Sequence, residues 1–400
     1  MKRVLIIQGQ MKQYRVPLFD KLRGALAEDG VALRVAYSDP PPHELAKRDN
    51  TELPADYGVK VPATWFFGQK MLYQALGREI ARADLVIVEQ ANKYIWNHLL
   101  LLLSACGRKR IAFWGLGENK QTDRSGFSEW YKRKILKRAD WWFAYTEGVK
   151  KYLIQNGVEP TRITSLNNAV DTSEIRCLCS NFSCEGGEAA RRDLGMASGA
   201  PVGIYCGMLD RVKGLDFLIA SANKIRSSLA NFHLIVAGGG PEKEAVEFQA
   251  RGESWIHAVG PQFGREKALL FKLSDVMLAP GRVGLVILDA FAAGLPLVTT
   301  QLSVHGPEIE YLEEGRNGIM TEHKVEAYAD AVIQVLTETA LSARLRTGAR
   351  ESGEKYSIEA MVRKFREGIS QCLSRGKEDS RECVKCHTGD SRPVQQPVQR

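Results

Sequence analysis

Apolar residues fall in short runs separated by longer amphipathic stretches, and the two alternate along nearly the whole chain. Arg3–Gln8 and Val31–Tyr37 are aliphatic and β-branched, and they are predicted strands. Leu85–Glu89, Arg110–Trp114 and Trp141–Tyr145 read the same way. Pro17–Leu26 and residues 70–82, 94–105 and 127–138 have helical spacing. Runs apolar at nearly every position suit parallel strands covered on both faces by crossover helices. The rhythm breaks at 172–200, where Ser, Asn, three cysteines and Gly186-Gly187 predict an interdomain connection with a helix around Arg191. It restarts with strands at Val202–Cys206, Phe232–Ala237, Trp255–Val259, Val276–Ala279 and Leu297–Thr300. Helices are predicted between them at 214–229, 241–250, 265–273 and 285–293. A helix over 357–372 follows, and the polar, Pro- and Gln-rich residues 373–400 predict a disordered tail.

The expected fold class is α/β, with two doubly wound domains over 1–171 and 201–356. Ligands of such sheets bind beyond the C-terminal strand ends. With two of them, the cleft between the domains is the expected site.

Apolar residues make up 44% of the 400 and charged residues 26%, which excludes a largely disordered chain. The charge is more informative. The net charge is +8, but residues 1–171 carry +9 and the remainder −1. A basic first half suits an anionic partner. No apolar stretch reaches the ~18 residues of a bilayer span. The opening apolar run is shorter than a signal-peptide core of about 7 residues. A cytoplasmic chain with free thiols is the expectation. Cys383-Val384-Lys385-Cys386-His387 has haem-attachment spacing, but attachment needs export, and the segment lies in the polar tail. Cys177, Cys179 and Cys184 are spaced poorly for zinc and read as incidental thiols of a mobile connection.

The chemistry concentrates in the second half. Strand 202–206 runs into Gly207-Met208-Leu209-Asp210-Arg211-Val212-Lys213-Gly214 and then a helix. Gly207 permits close backbone approach, a helix start offers free N–H groups, and Arg211 and Lys213 add full charges. Such a turn suits a phosphate; an ordinary loop with solvated bases is the other reading. The second motif is Pro280-Gly281-Arg282-Val283-Gly284-Leu285, followed by the small-residue helix that carries Asp289. Backbone donors at Gly284 and Leu285 can face a diphosphate. Asp289 can accept from ribose hydroxyls, or it can pair with a nearby base.

These motifs resemble those of a retaining glycosyltransferase of family 4 with the GT-B fold. Gly284–Asp289 and Ala290–Pro296 match the second half of that family's donor motif. Gly207 to Lys213-Gly214, Ala237-Gly238-Gly239-Gly240-Pro241, Gly306-Pro307-Glu308-Ile309 and Glu314-Gly315-Arg316-Asn317-Gly318 match further motifs in order. In the first half, Tyr14-Arg15-Val16-Pro17, Phe113-Trp114-Gly115, Arg138-Ala139-Asp140, Ala144-Tyr145-Thr146 and Asn168-Ala169-Val170-Asp171 resemble bacterial members that build surface polysaccharides. Three positions depart from the family: its first acid falls on Gly281, an arginine on Met208 and a histidine on Leu116.

The resemblance implies two Rossmann-like domains facing across a cleft, with helix 357–372 crossing back to the first. It implies transfer of a sugar from a UDP- or GDP-sugar to a saccharide or lipid-linked saccharide, with retention, in polysaccharide or glycolipid biosynthesis. The donor falls to Gly207, Arg211, Lys213, Arg282, Gly284, Leu285 and Asp289. Lys213, with Arg211 or Arg282, is expected to neutralise the leaving diphosphate. The acceptor is expected near Tyr14, Arg15, Trp114, Glu118 and Asn119, with Glu118 a candidate catalytic acid. No cofactor or metal is expected, and no nucleic-acid motif accompanies the positive charge. The basic run Lys132, Arg133, Lys134, Lys137 and Arg138, with Trp130 and Tyr131, is either a solvated helix face or an interfacial helix on anionic lipid. A peripheral position on the cytoplasmic membrane face fits the second. A catalytically silent nucleotide-sugar-binding scaffold and a sugar-nucleotide epimerase are the alternatives.

Overall fold

The computed structural model describes residues 1–41, 49–68, 70–91, 93–117 and 135–375. The first sheet is built on β1 (Lys2–Gln10), β2 (Val31–Ser38) and β3 (Gly58–Lys60). It continues through β6 (Leu85–Glu89), β7 (Arg110–Gly115), β8 (Trp141–Ala144) and β9 (Ile163–Ser165). Its order is β3-β2-β1-β6-β7-β8-β9, and every pairing is parallel. The second sheet comprises β10 (Val202–Cys206), β11 (His233–Ala237), β12 (Ile256–Gly260), β13 (Val276–Ala279), β14 (Leu297–Thr300) and β15 (Gly318–Thr321). It is also parallel throughout, in the order β12-β11-β10-β13-β14-β15. Each sheet therefore reverses direction beside its first strand, at β1/β6 and at β10/β13. Those are the topological switch points where doubly wound sheets bind ligands.

The central strands are buried on both faces, which explains their unbroken apolar reading. Helix α1 (Val16–Glu28) begins with Pro17, whose missing N–H costs nothing in a first turn. It buries Leu18, Phe19, Leu22 and Leu26 on one face. Further helices are α2 (Gly77–Arg82), α3 (Ile95–Ala105), α4 (Glu147–Gln155), α5 (Ser173–Asn181) and α6 (Cys184–Asp193). The second sheet is wrapped by α7 (Leu215–Ser228), α8 (Lys243–Ala250), α9 (Gly264–Leu273), α10 (Val286–Ala292), α11 (Val325–Thr337) and α12 (Thr339–Lys355).

The last helix, α13 (Ile358–Ser374), leaves the second sheet and packs on the first. Its Phe365 meets Trp114 at 5.2 Å and Phe143 at 4.5 Å, ring to ring. Arg110 donates to the carbonyl of Cys372 at 2.9 Å, and Arg366 forks onto Asp29. One apolar cluster consequently runs through both sheets.

Two expectations change. Residues 70–82 are not one helix. β4 (Ala63–Phe66) pairs antiparallel with β5 (Met71–Gln74), and only Gly77–Arg82 is helical. Here the period is two: Trp65 and Leu72 share one face, Phe66 and Met71 the other. Residues 172–200 are not a mobile connection either. They hold α5 and α6, whose Ile175 and Cys179 are buried. Cys179 Sγ donates to Ala268 O, and Arg191 donates to Leu273 O at 2.7 Å. Burial pushes the Cys179 thiol up to about 11, so it is a core side chain and not an incidental thiol. The basic segment 118–134 and the tail 376–400 lie outside the described residues.

Candidate active site

Backbones meet at close quarters at the β10/β13 switch point. The loop after β10 lies against the loop after β11: Gly207 N–H donates to Ala237 O, Leu209 N–H to Gly239 O, and Glu242 N–H to Leu209 O, at 2.9–3.0 Å. A Cβ at Gly238 would strike Gly207 O, and one at Gly240 would strike Leu209. Gly240 also has φ +150, and Gly214, ahead of α7, is left-handed at φ +65. Glycine is needed at these positions for contact and conformation alike.

The loop after β13 closes the cradle. Arg282 N–H donates to Val212 O at 2.8 Å, and Lys213 Nζ donates to Arg282 O at 2.7 Å. A side chain at Gly281 would collide with the Lys213 backbone. The position where the family carries its first acid therefore has no room for one in this chain. Gly284 faces open space. Met208, standing where the family has arginine, is exposed.

The expected donor residues are thus brought together, with differences in their state. Lys213 is partly buried, and desolvation lowers its pKa while Asp210 opposes that effect. Arg211 is almost fully exposed and lies 3.7 Å from Glu242. Asp289 is paired: Lys267 Nζ donates to its Oδ2 at 2.8 Å. Burial works against the Lys267 ammonium, but Asp289 outweighs it and holds its pKa above the ordinary value. Of the readings open for Asp289, pairing with a base is what the structure contains. Among the described hydrogen bonds, its Oδ1 is not engaged.

His305 was not singled out from the sequence. It is buried, its Nδ1 accepts from Val283 N–H at 3.0 Å, and its Nε2 bonds Thr300 O at 2.7 Å. Both bonds require a neutral ring with its proton on Nε2. Burial lowers its pKa, and nearby Lys213 and Arg282 lower it further, against the Thr300 carbonyl. Gly306 N–H donates to Val283 O at 2.7 Å, so segment 305–306 splints the cradle loop. A lone histidine beside the Gly-Pro-Glu motif was its only sequence signal.

The first domain contributes differently. Arg15 is buried; it donates to Tyr145 Oη at 3.2 Å and lies 4.3 Å from the centre of the Trp114 ring. Trp114 is wholly buried between Phe19, Tyr145 and Phe365. Neither side chain presents the open surface expected of an acceptor contact: both are packed inside the first domain, Trp114 against the crossing helix. Tyr14 is exposed. Glu118 and Asn119 lie outside the described residues.

The domains are tied where their strand ends face each other. Asn168 Nδ2 donates to Glu308 Oε1 at 2.9 Å, Tyr311 Oη to Asn168 O at 3.0 Å, and Gly148 N–H to Glu310 Oε2 at 2.7 Å. Burial raises the Glu308 carboxyl, against its bond from Asn168. Among the described residues, no three His, Cys, Asp or Glu side chains are grouped to hold a metal.

Two Rossmann-like domains, with a glycine-built cationic cradle at the second switch point, define a GT-B fold. Residues 200–338 match the family model described as Glycosyl transferases group 1, and residues 19–174 match that of Glycosyltransferase Family 4. The chain belongs to the GT-B glycosyltransferases. It is 27% identical over 202 residues to D-inositol 3-phosphate glycosyltransferase of Saccharomonospora viridis, covering 46% of each chain. It is 23% identical over 190 residues to alpha-monoglucosyldiacylglycerol synthase of Acholeplasma laidlawii, covering 46% of this chain and 47% of that one. These alignments span about half the length of the relatives. The structure of Anabaena HepE in complex with UDP superposes with a TM-score of 0.67 at 16% identity, over 92% of this chain and all of that one.

Proposed function

We propose that the protein transfers a hexose-type sugar from a UDP- or GDP-sugar to a saccharide or lipid-linked saccharide, with retention, in polysaccharide or glycolipid assembly at the cytoplasmic face of a membrane. The observation that carries the reading is the convergence of the loops after β10, β11 and β13 with Lys213 and Arg282. Backbone N–H groups at Gly284 and Leu285 and the Lys213 ammonium suit the diphosphate. Asp289, through its second oxygen, suits a ribose hydroxyl. UDP in the HepE complex supports a nucleotide donor, and the Acholeplasma relative, by its name, works on a diacylglycerol lipid.

As the bond to the anomeric carbon breaks, negative charge grows on the leaving phosphate. Lys213, Arg282 and Arg211 stabilise that charge, so the reading requires no resident metal or cofactor. Oriented this way, the leaving phosphate can take the acceptor proton on the same face of the sugar, which gives retention without a protein nucleophile. Glu118 is the carboxylate we assign to the acceptor side, with Asn119 and Tyr14 as further contacts.

Thermal melts with UDP, GDP and their sugar conjugates test this, followed by turnover with whichever donor stabilises the chain. Selective binding at a hundredfold excess over Kd adds about 2.7 kcal/mol of stability. No stabilisation by any nucleotide overturns the reading. Gly281 favours a second reading, a nucleotide-sugar-binding protein without transfer. Stabilisation without turnover of any acceptor would select it.

A further inference from the structure

The antiparallel pair β4–β5 and helix α3 form an exposed surface that the cradle does not use. The turn of the pair holds Phe66 and Phe67, 43% and 76% exposed. Phe67 sits at φ +52, a left-handed conformation unusual for a bulky side chain, and Lys70 N–H closes the turn onto Phe66 O at 3.1 Å. Such an outlier on a surface turn points to a use for the outward ring. Tyr73 stacks on Trp96 at 6.2 Å, and Trp96 Nε1 donates to Gln74 O at 2.6 Å. These contacts join the turn to α3. From Trp96 the apolar stripe continues at helical spacing to Leu99 and Leu102, 41% and 58% exposed.

The segments that bear this stripe carry charge of one sign; the carboxylates of Glu89 and Asp140, beside the two ends of α3, are engaged by Tyr94 Oη at 2.8 Å and Ser104 Oγ at 2.9 Å. Residues 61–78 and 90–108 contain no Asp or Glu, while Lys70, Arg78, Lys93 and Arg108 are in them. Lys93 Nζ lies 5.2 Å from the Tyr94 ring centre and 6.0 Å from that of Trp65. Apolar rings and leucines on segments that carry cations and no carboxylate of their own complement a surface of negative headgroups over hydrocarbon. Among the described residues no helix is long and apolar enough to cross a membrane, so attachment here is to the surface.

We propose that the β4–β5 turn and the Trp96–Leu99–Leu102 face of α3 are where the first domain docks on an anionic bilayer. Phe66, Phe67 and Leu102 enter the interface, and Lys70 and Lys93 meet lipid phosphates. The docking deepens the lipid-linked acceptor reading, because Tyr94, at the start of α3, also bonds Glu89 at the first switch point.

The test is flotation of the full chain with vesicles of phosphatidylglycerol and phosphatidylcholine in equal parts, at low salt and without donor or acceptor. Its outcome is therefore independent of transfer activity. The wild type should float, and pure phosphatidylcholine vesicles should carry little of it. Phe67→Asn with Leu102→Gln keeps a residue that tolerates φ > 0 and a good helix former, and it should cut partitioning at least tenfold with an unchanged melting temperature. Lys70→Glu with Lys93→Glu should remove the preference for anionic lipid. A wild type that ignores anionic vesicles overturns the proposal. So does unchanged flotation of the Phe67/Leu102 variant, or loss of flotation only when Lys132, Arg133, Lys134 and Lys137 are reversed. A concentration-dependent dimer abolished by the same apolar substitutions would assign the face to a second copy and overturn it equally.

Discussion

The two halves of the cleft are built by different means. In the second domain the site is mostly backbone: glycine loops stacked without room for a Cβ, with Lys213 held against Arg282 O. In the first domain the construction is mostly side chain, with Arg15 wedged between Tyr145 and Trp114, and Trp114 against Phe365 of the crossing helix. A backbone cradle fixes a ligand by N–H direction and tolerates few substitutions. A wall of packed aromatics tolerates exchange of similar volume and leaves specificity to whatever lies over it. The comparison predicts that substitutions of like size cost function in the second domain and only modest stability in the first.

The largest effect should come from Lys213→Ala. A charge contact developed in the transition state contributes roughly 3–4 kcal/mol, so turnover should fall at least ~100-fold at ~1.4 kcal/mol per tenfold. The melt should stay close to wild type, because the lost bond is to an exposed carbonyl. Near wild-type turnover in a folded variant would remove Lys213 from the site.

Gly281→Ala should come next. Its methyl group must displace the Lys213 backbone, and overpacking of this kind costs about 1–3 kcal/mol. Denaturation midpoint and UDP affinity should fall together. Restoring the family acid by Gly281→Glu should behave worse than Gly281→Ala. A gain of activity from Gly281→Glu would show that the loop yields, and the contrast between the halves would lose its basis.

Lys267→Met and Asp289→Asn test whether the acid serves the fold or the ligand. Charge-assisted hydrogen bonds contribute about 1.5–3 kcal/mol. Asp289→Asn should weaken UDP binding, read by calorimetry, more than Asp289→Glu does. Lys267→Met should lower stability first, because it leaves a mostly buried carboxylate unpaired. Equal UDP affinity in all four proteins would make the pair structural only.

What was legible in the sequence follows the same division. Strands β10, β13 and β14 were readable to the residue, since a strand covered on both faces must be apolar throughout. The cradle was readable because glycines at close contacts leave a spaced pattern. Strand β5 was misread as the start of a helix over 70–82, because Leu72 and Leu76 also satisfy helical spacing, and β4 went unread, because no tight-turn dipeptide separates the strands. Strand spacing marked Trp114 as covered, but not the side chains that cover it: Phe365 arrives from 251 residues further along, and Arg15 is enclosed by Tyr145 and Trp114, both distant from it in sequence. Lys267 and His305 were missed for a related reason: each acts on a loop distant in sequence, Lys267 on Asp289 and His305 on Val283.

His305 gives a smaller, pH-dependent effect. Its pKa is lowered in the folded chain, so as pH falls the unfolded chain takes up the proton first. Its stabilising contribution is complete above the ordinary imidazole value of ~6.5 and is lost as pH falls through the lowered one. Protonation also removes the acceptor for Val283 N–H. UDP affinity should decline below that window in the wild type and change less in His305→Gln. The close pair His233 and His257, 3.0 Å apart, also lowers acid stability, with partial burial and the neighbouring His233 pushing His257 down to about 4. Affinity, unlike the melting temperature, separates His305 from them.

The smallest effect should be that of Trp114→Phe. The indole sits edge-on to Phe19, Tyr145 and Phe365, and its Nε1 is buried with no hydrogen-bond partner among the described residues. Phenylalanine keeps the aromatic contacts and removes a buried polar group, which offsets the cost of the volume lost. The net change should be within about 1.5 kcal/mol, the range of conservative hydrophobic exchanges in cores. Because the ring does not reach the cleft surface, KM for the acceptor should be unchanged, as should kcat. Urea denaturation alongside acceptor titration reads both quantities. A several-fold rise in acceptor KM at unchanged stability would mean that the ring contacts the acceptor. The first domain would then hold a preformed side-chain subsite, and the contrast between a backbone-built second domain and a side-chain-built first domain would fail on its own ground.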